Sequence, residues 1–183
     1  MQGHDAARGG LGVLSFGGEH GVKELHALGQ HMSDQVGAHL CSALSFAQES
    51  SVSSKPVAQL LRTLGPLLDR SARSNRAHKD LQLQQLVLVI ADGRINEKEE
   101  VKRLVRELSQ RHGLLVAFIA LDNQENSLLE MQSIQFEGGK PVFHQYLDSF
   151  PFPYYVLLRE VDQLPQTLCD LLKQWFELTA AGA

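Results

Sequence analysis

A chain of 183 residues, 43% of them hydrophobic, is long enough to bury one sizeable core and sets a working count of one domain. Its 17 basic side chains are outnumbered by 21 acidic ones, giving a net charge of −4 and a pI near 6.0. That balance excludes a broad cationic surface for a phosphate backbone, so the expected partner is a protein, with no direct nucleic-acid contact.

In chain order, residues 1–10 lack the apolar stretch of a secretory signal and read as an irregular N-terminus, which fits a soluble intracellular chain. Gly12 to Phe16 reads as a short strand, Gly17-Gly18 as a turn and Val22 to Leu28 as a return strand. His26 and His31, five residues apart, share no helix face and read as surface histidines. Val36, Leu40 and Leu44 suggest a short helix. Val57, Leu60, Leu61 and Leu64 keep the i, i+3, i+4, i+7 spacing of an amphipathic helix, with Pro56 in its first turn and Ser53 or Ser54 as its cap. Gly65-Pro66 is expected to kink or end it. Arg70 to Lys79 is basic and polar without apolar periodicity, so it reads as a solvated loop, with a nuclear-import patch as the alternative.

From Gln85 the pattern becomes regular. A strand at Gln85 to Ala91, a helix at Glu97 to His112 with Val101, Leu104, Val105 and Leu108 on one face, and a strand at Leu114 to Leu121 make a βαβ unit with a right-handed crossover. These apolar runs are far too short to span a bilayer, and no membrane partner is expected. A short helix near Ser127 to Met131, an irregular Gly138-Gly139 stretch and a segment around Val142 to Leu147 follow. Pro151 and Pro153 force an extended entry to a strand at Tyr155 to Leu158, and a helix from Pro165 to Leu178 is expected to bury Leu168, Leu171, Leu172 and Trp175. Phe150, Phe152, Tyr154 and Tyr155 read as core and rim packing. Cys41 and Cys169 stand alone, without CxxC or Cys/His spacing, and fit a reducing compartment better than a disulfide or zinc site. The fold class is α/β with a mainly parallel sheet.

Ligands of open parallel sheets collect outside the carboxyl ends of the strands. Asp92 stands there, after Leu-Val-Leu-Val-Ile-Ala and before Gly93, where it reads either as a turn residue or as a ligand group. Asp122 also follows a strand, and the two aspartates are the carboxylate pair of an alternative reading, a small α/β hydrolase. No Gly-x-Ser-x-Gly elbow, Walker A sequence or His-Glu-x-x-His helix accompanies them. No catalytic residue and no bound organic cofactor is assigned, and the chain is not expected to be an enzyme.

The stretch Phe-Pro-Phe-Pro-Tyr-Tyr-Val-Leu-Leu-Arg-Glu-Val-Asp-Gln-Leu-Pro and the following helix resemble the C-terminal von Willebrand A domain of the midasin family, the AAA+ ATPases of large ribosomal subunit assembly. The likeness runs from about Leu11 to Thr179, leaving 180–183 as a tail. Leu14-Ser15-Phe16-Gly17, Val57-Ala58-Gln59-Leu60-Leu61 and Phe118 to Asn123 resemble further family segments. Ala91-Asp92-Gly93-Arg94 resembles the family's Ser-Asp-Gly motif. The resemblance implies a Rossmann-like domain whose metal-ion-dependent adhesion site holds Mg²⁺ and grips ubiquitin-like domains of ribosome assembly factors on pre-60S particles in the nucleus. On that pattern the metal set of this chain is Asp92 with Ser53 and Ser54 where the family has Thr. The first central strand with its Asp-x-Ser-x-Ser loop and helix has no counterpart after Met1. Asp69-Arg70-Ser71-Ala72-Arg73 does not replace it, because Arg73 would repel a cation. The expectation is a partial domain that does not hold Mg²⁺ alone and grips partners with reduced strength or, as an inactive fragment, not at all. Its strands at Gly12 to Phe16 and Gln85 to Ala91 would stand across a gap or pair with each other.

Overall fold

The computed structural model describes residues 10–17, 21–43, 55–75 and 84–181. The chain divides into two compact units, Met1–Leu83 and Gln84–Ala183.

In the first unit, β1 (Val13–Ser15) and β2 (Lys23–His26) form an antiparallel pair, shorter than the strands expected from the sequence. The register slips between Val13, opposite His26, and Leu14, opposite Glu24. His26 is 3% exposed, so it is a core histidine instead of the expected surface one. Pairing through β2 places it on the covered face, which spacing along one strand cannot reveal. His31 is exposed. Helix α1 (Asp34–Ala43) carries Val36 and Leu40 and lies against β2, with the Ser33 hydroxyl accepting the Val36 N–H at 3.3 Å as an N-cap; Leu44 lies outside the described residues.

Helix α2 (Pro56–Asn75) does not end at Gly65-Pro66. A proline inside a helix forfeits one backbone hydrogen bond and crowds the preceding turn, at about 3 kcal/mol. The apolar stripe runs on past it, however: Val57, Ala58, Leu60, Leu61, Leu64 and Leu68 are all buried. Aliphatic burial of about 1.5–3 kcal/mol per side chain offsets the break. The first part of the expected loop from Arg70 is therefore helix as far as Asn75, and Asp69 to Arg73 lie in its last turns.

The second unit is built on a three-stranded parallel sheet in the order β3 (Leu86–Ala91), β4 (Leu115–Leu121), β7 (Tyr154–Leu158). The crossover helix α3 (Lys98–His112) lies against β4 and buries Val101, Leu104, Val105 and Leu108, as its spacing requires. Central β4 is nearly free of solvent, with Phe118, Ile119 and Ala120 at 0% exposure. Phe118 packs on Phe150 edge-to-face at 5.4 Å between centroids and on Phe152 at 4.8 Å. Phe150 and Phe152 are thus core, while Tyr154 and Tyr155 are rim. Among the described residues β1 pairs with β2 and β3 with β4, in separate sheets; of the two expected arrangements, a gap or a direct pairing of β1 with β3, the pairing is not among those present.

Between β4 and β7 the chain departs from the expected helix at Ser127 to Met131. A short 3-10 turn (Gln124–Asn126) is capped by Asn123, whose Oδ1 accepts the Glu125 N–H at 3.0 Å, and turns follow. The stretch beyond is a regular hairpin, β5 (Gln132–Glu137) and β6 (Lys140–Gln145), turning at Gly138 and Gly139 with φ of 58° and 83°. Two positive φ values in a two-residue loop are the type I′ geometry, open to Gly-Gly and matched to strand twist. Another 3-10 turn (Tyr146–Ser149) leads to β7. Helix α4 (Leu164–Ala181) closes the unit. Leu168, Leu171 and Trp175 are half-buried and Leu172 is exposed, so the expected full burial of this face is not reached. Helical spacing shows which residues share a face, and only the neighbours decide how completely that face is covered. No helix among the described residues is long and apolar enough to cross a membrane.

Candidate functional site

At the carboxyl ends of β3 and β4 the chain builds a tightly tied loop. Asp92 leaves β3 into solvent, and its Oδ1 accepts the Arg94 N–H at 3.1 Å. That local bond is the Asx-turn that Asp-x-Arg offers the backbone. Gly93 has φ of 75° and is buried; a Cβ there would meet Leu128 Cδ1 at 2.6 Å and Ala120 Cβ at 3.1 Å. The Arg94 guanidinium donates to the Asn126 carbonyl at 2.8 Å.

Tyr146 locks this loop from beneath. Its hydroxyl accepts the Ile95 N–H at 2.7 Å and lies 3.0 Å from the Gly93 carbonyl and 3.2 Å from that of Ile95, so its one proton is shared between two acceptors. Burial pushes the phenol above its ordinary range, against the lowering effect of the Ile95 hydrogen bond. Lys98, in the first turn of α3, donates from Nζ to the Tyr146 carbonyl at 2.8 Å and to Ser149 Oγ at 2.7 Å, with Nζ 3.4 Å from the Tyr146 ring centroid. Burial draws the Lys98 ammonium below its ordinary value. The Tyr146 N–H donates to the Met131 carbonyl at 2.9 Å and so closes the base of the β5–β6 hairpin.

Asp122 has a different task. It is 8% exposed; Ser127 Oγ donates to its Oδ2 at 2.6 Å and the Leu128 N–H to its Oδ1 at 2.8 Å. With both oxygens engaged, this carboxylate shapes the turn that seats Leu128 under Gly93. Asp92, by contrast, faces solvent.

Of the metal set drawn from resemblance, Asp92 lies at the mouth of the sheet, while Ser53 and Ser54 lie outside the described residues. Among the described residues no group of three or more His, Cys, Asp or Glu side chains is placed to hold a metal ion. Mg²⁺ demands near-octahedral oxygens and dehydrates reluctantly, so the Asp92 carboxylate, engaged in an Asx-turn, would need several further oxygen ligands to hold it.

Sequence reasoning missed the β5–β6 face. Ile134 stands opposite Phe143 and Phe136 opposite Pro141, which puts these four on one side of the ribbon. Ile134 is 56%, Phe136 74% and Phe143 62% exposed. Val142, on the other side, is half-buried. The signal was present in Gly-Gly between alternating apolar residues, the pattern of a hairpin. Tyr146 and Lys98 gave no comparable signal, since their pairing spans α3, β4 and the hairpin.

A parallel sheet flanked by helices, with charged loops gathered at the carboxyl ends of its strands, defines a Rossmann-like α/β domain. No protein-family model matches the chain. It is 34% identical over 174 residues to midasin of Dictyostelium discoideum, covering 93% of this chain and 3% of that protein. To midasin of Giardia intestinalis it is 33% identical over 174 residues, covering 92% of this chain and 3% of that protein. The chain is a midasin-related domain, and it spans about 3% of the length of these curated relatives. A solved structure described as conserved hypothetical protein BatB from Bacteroides thetaiotaomicron superposes with a TM-score of 0.44 at 12% identity, covering 92% of this chain and 80% of that one.

Proposed function

We propose that this midasin-related domain is a protein-docking module of nuclear ribosome biogenesis, which grips ubiquitin-like domains of large-subunit assembly factors on pre-60S particles and performs no catalysis of its own. The observation that carries the reading is the outward face of the β5–β6 hairpin, where Ile134, Phe136 and Phe143 are exposed together. A contiguous exposed apolar face of this kind marks a binding site, and aromatic side chains supply much of the energy at such sites. The face carries no charged side chain, which favours a protein surface over a phosphate backbone.

The Mg²⁺ that the resemblance implies is proposed to need ligands beyond the described residues, so this chain's own contribution is apolar contact at the hairpin and polar contact at the Asp92 loop. The test is titration with a recombinant ubiquitin-like domain of an assembly factor. Phe136→Ser and Phe143→Ser should each weaken binding by about tenfold or more, with little change in unfolding midpoint because both rings are already exposed. Unchanged affinity in both variants would reject the reading. Binding that vanishes in chelator and on Asp92→Ala would instead restore a metal-bridged contact.

A further inference from the structure

The β5–β6 hairpin pairs with no third strand among the described residues, so each of its strands has an outer edge. Which backbone groups line those edges follows from the ladder. The Tyr146 N–H donates to the Met131 carbonyl at 2.9 Å, which makes Met131 and Tyr146 a hydrogen-bonded pair. Bonded and non-bonded pairs alternate in an antiparallel ladder, and the register runs without a slip to Glu137 opposite Lys140. Ser133, Gln135 and Glu137 therefore bond inward to β6, while Gln132, Ile134 and Phe136 turn their N–H and C=O groups outward.

The two edges are guarded unequally. On β6 the outward positions are Pro141, Phe143 and Gln145, and Pro141 has no N–H to offer. β5 has neither proline nor bulge, and no charged residue from Gln132 to Phe136. Gln132, Ile134, Gln135 and Phe136 are all exposed. Natural sheets seldom leave such an edge bare, and an isolated two-stranded ribbon gains stability from further strands. What fits the edge is an extended strand with apolar side chains at alternate positions, and β5 is itself such a strand.

We infer that β5 pairs antiparallel with β5 of a second copy of this chain, about a twofold axis through Gln135. In that register Ile134 stands opposite Phe136 of the second copy and Phe136 opposite its Ile134. Both pairs present outward N–H and C=O groups to each other, so the backbone bonds coincide with the apolar side-chain pairs. Glu137 falls opposite Ser133, so no like charges are opposed although the chain is acidic overall. An axis through Ile134 would set Phe136 against Gln132 and lose the match. The pairing consumes both β5 edges and closes, and it runs the exposed apolar rows of the two ribbons into one face of four strands. A single strand pairing is small beside a standard interface, so the dimer is weak and concentration-dependent. The inference goes beyond the docking role proposed above and does not depend on it, since it uses the edge of the ribbon and not its face.

Sedimentation equilibrium of the whole chain over a range of concentrations should show a reversible dimer. Gln135→Lys sets two lysines against each other on the axis and should weaken that dimer about fivefold. Gln135→Glu should do the same, and an equimolar mixture of the two variants should restore the association. With the exposed Cys41 and Cys169 both replaced by serine, Gln135→Cys should form a disulfide-linked dimer under mild oxidation, because its counterpart lies directly across the axis. Gln132→Cys should not, its counterpart lying about 20 Å away along the strand. A chain that is monomeric at every concentration, a dimer indifferent to Gln135→Lys, or equal linking at the two positions would overturn the inference. A monomer whose Ile134 and Phe136 amides are protected from exchange only by a recombinant ubiquitin-like domain would also overturn it, and would give the edge to that domain.

Discussion

Replacing Gly93 by alanine tests the reasoning that joins β3, β4 and the Asp122 turn. The residue has φ of 75°, where an L side chain is strained by about 1–2 kcal/mol. The added methyl would also come within 2.6 Å of Leu128 Cδ1 and 3.1 Å of Ala120 Cβ. Leu128 is 1% and Ala120 0% exposed, so neither has open space to yield into. Overpacking of this kind costs about 1–3 kcal/mol, and the stiffer unfolded chain returns about 0.4–1 kcal/mol. The net expectation for Gly93→Ala is a loss of about 3 kcal/mol. Gly113→Ala is the matched control: its φ of 61° imposes a similar backbone strain, and nothing lies within 4 Å of its added methyl. It should cost about 1 kcal/mol, so the difference between the variants isolates the crowding. Urea unfolding followed by fluorescence of Trp175, the single tryptophan, reports on the same unit. Equal losses in the two variants would show that the contact beneath Gly93 is not made, and would refute the packing argument for this loop.

Calorimetric titration with Mg²⁺ should give no stoichiometric isotherm for this chain, because Asp92 is the one described carboxylate of the expected set; an isotherm abolished by Asp92→Ala would show the ligand set to be misjudged. Asp122→Ala should destabilise the second unit by about 2–4 kcal/mol, since it strands the Ser127 hydroxyl and the Leu128 N–H. A variant with full stability but lost phosphoester hydrolysis would instead make Asp122 catalytic. Burial raises the Tyr146 phenol in the folded chain above the value of about 10 that it takes when unfolded. The protonated phenol's contribution is thus complete below about pH 10 and is lost as pH rises through the raised value. Stability measured across that window should fall more steeply than in Tyr146→Phe, and coincident profiles would argue against the buried hydroxyl.

The β3–α3–β4 unit was legible in the sequence because both of its periods are local. Leu-Val-Leu-Val-Ile-Ala can be buried on both faces of a parallel sheet, and Val101, Leu104, Val105 and Leu108 can meet that sheet only from one helix face. Asp92 at the strand mouth followed from the same logic, whereas the C-terminal segment was legible through its resemblance to the midasin family. Elsewhere local rules competed with burial. Pro66 is a helix breaker by chemistry, yet α2 runs through it because Leu68 continues the buried stripe. His26 looked like a surface residue until strand pairing covered it. Tertiary structure alone separated the two aspartates, since both follow apolar strands and only the Ser127 hydroxyl and Leu128 N–H mark Asp122 as structural. It alone brought Tyr146 to the Asp92 loop, because a hydrogen bond between residues 51 positions apart leaves no periodic trace in the chain. Whether an apolar residue such as Phe136 is core or docking surface is likewise a property of what covers it, and alternation along a strand assigns faces without saying which of them meets solvent.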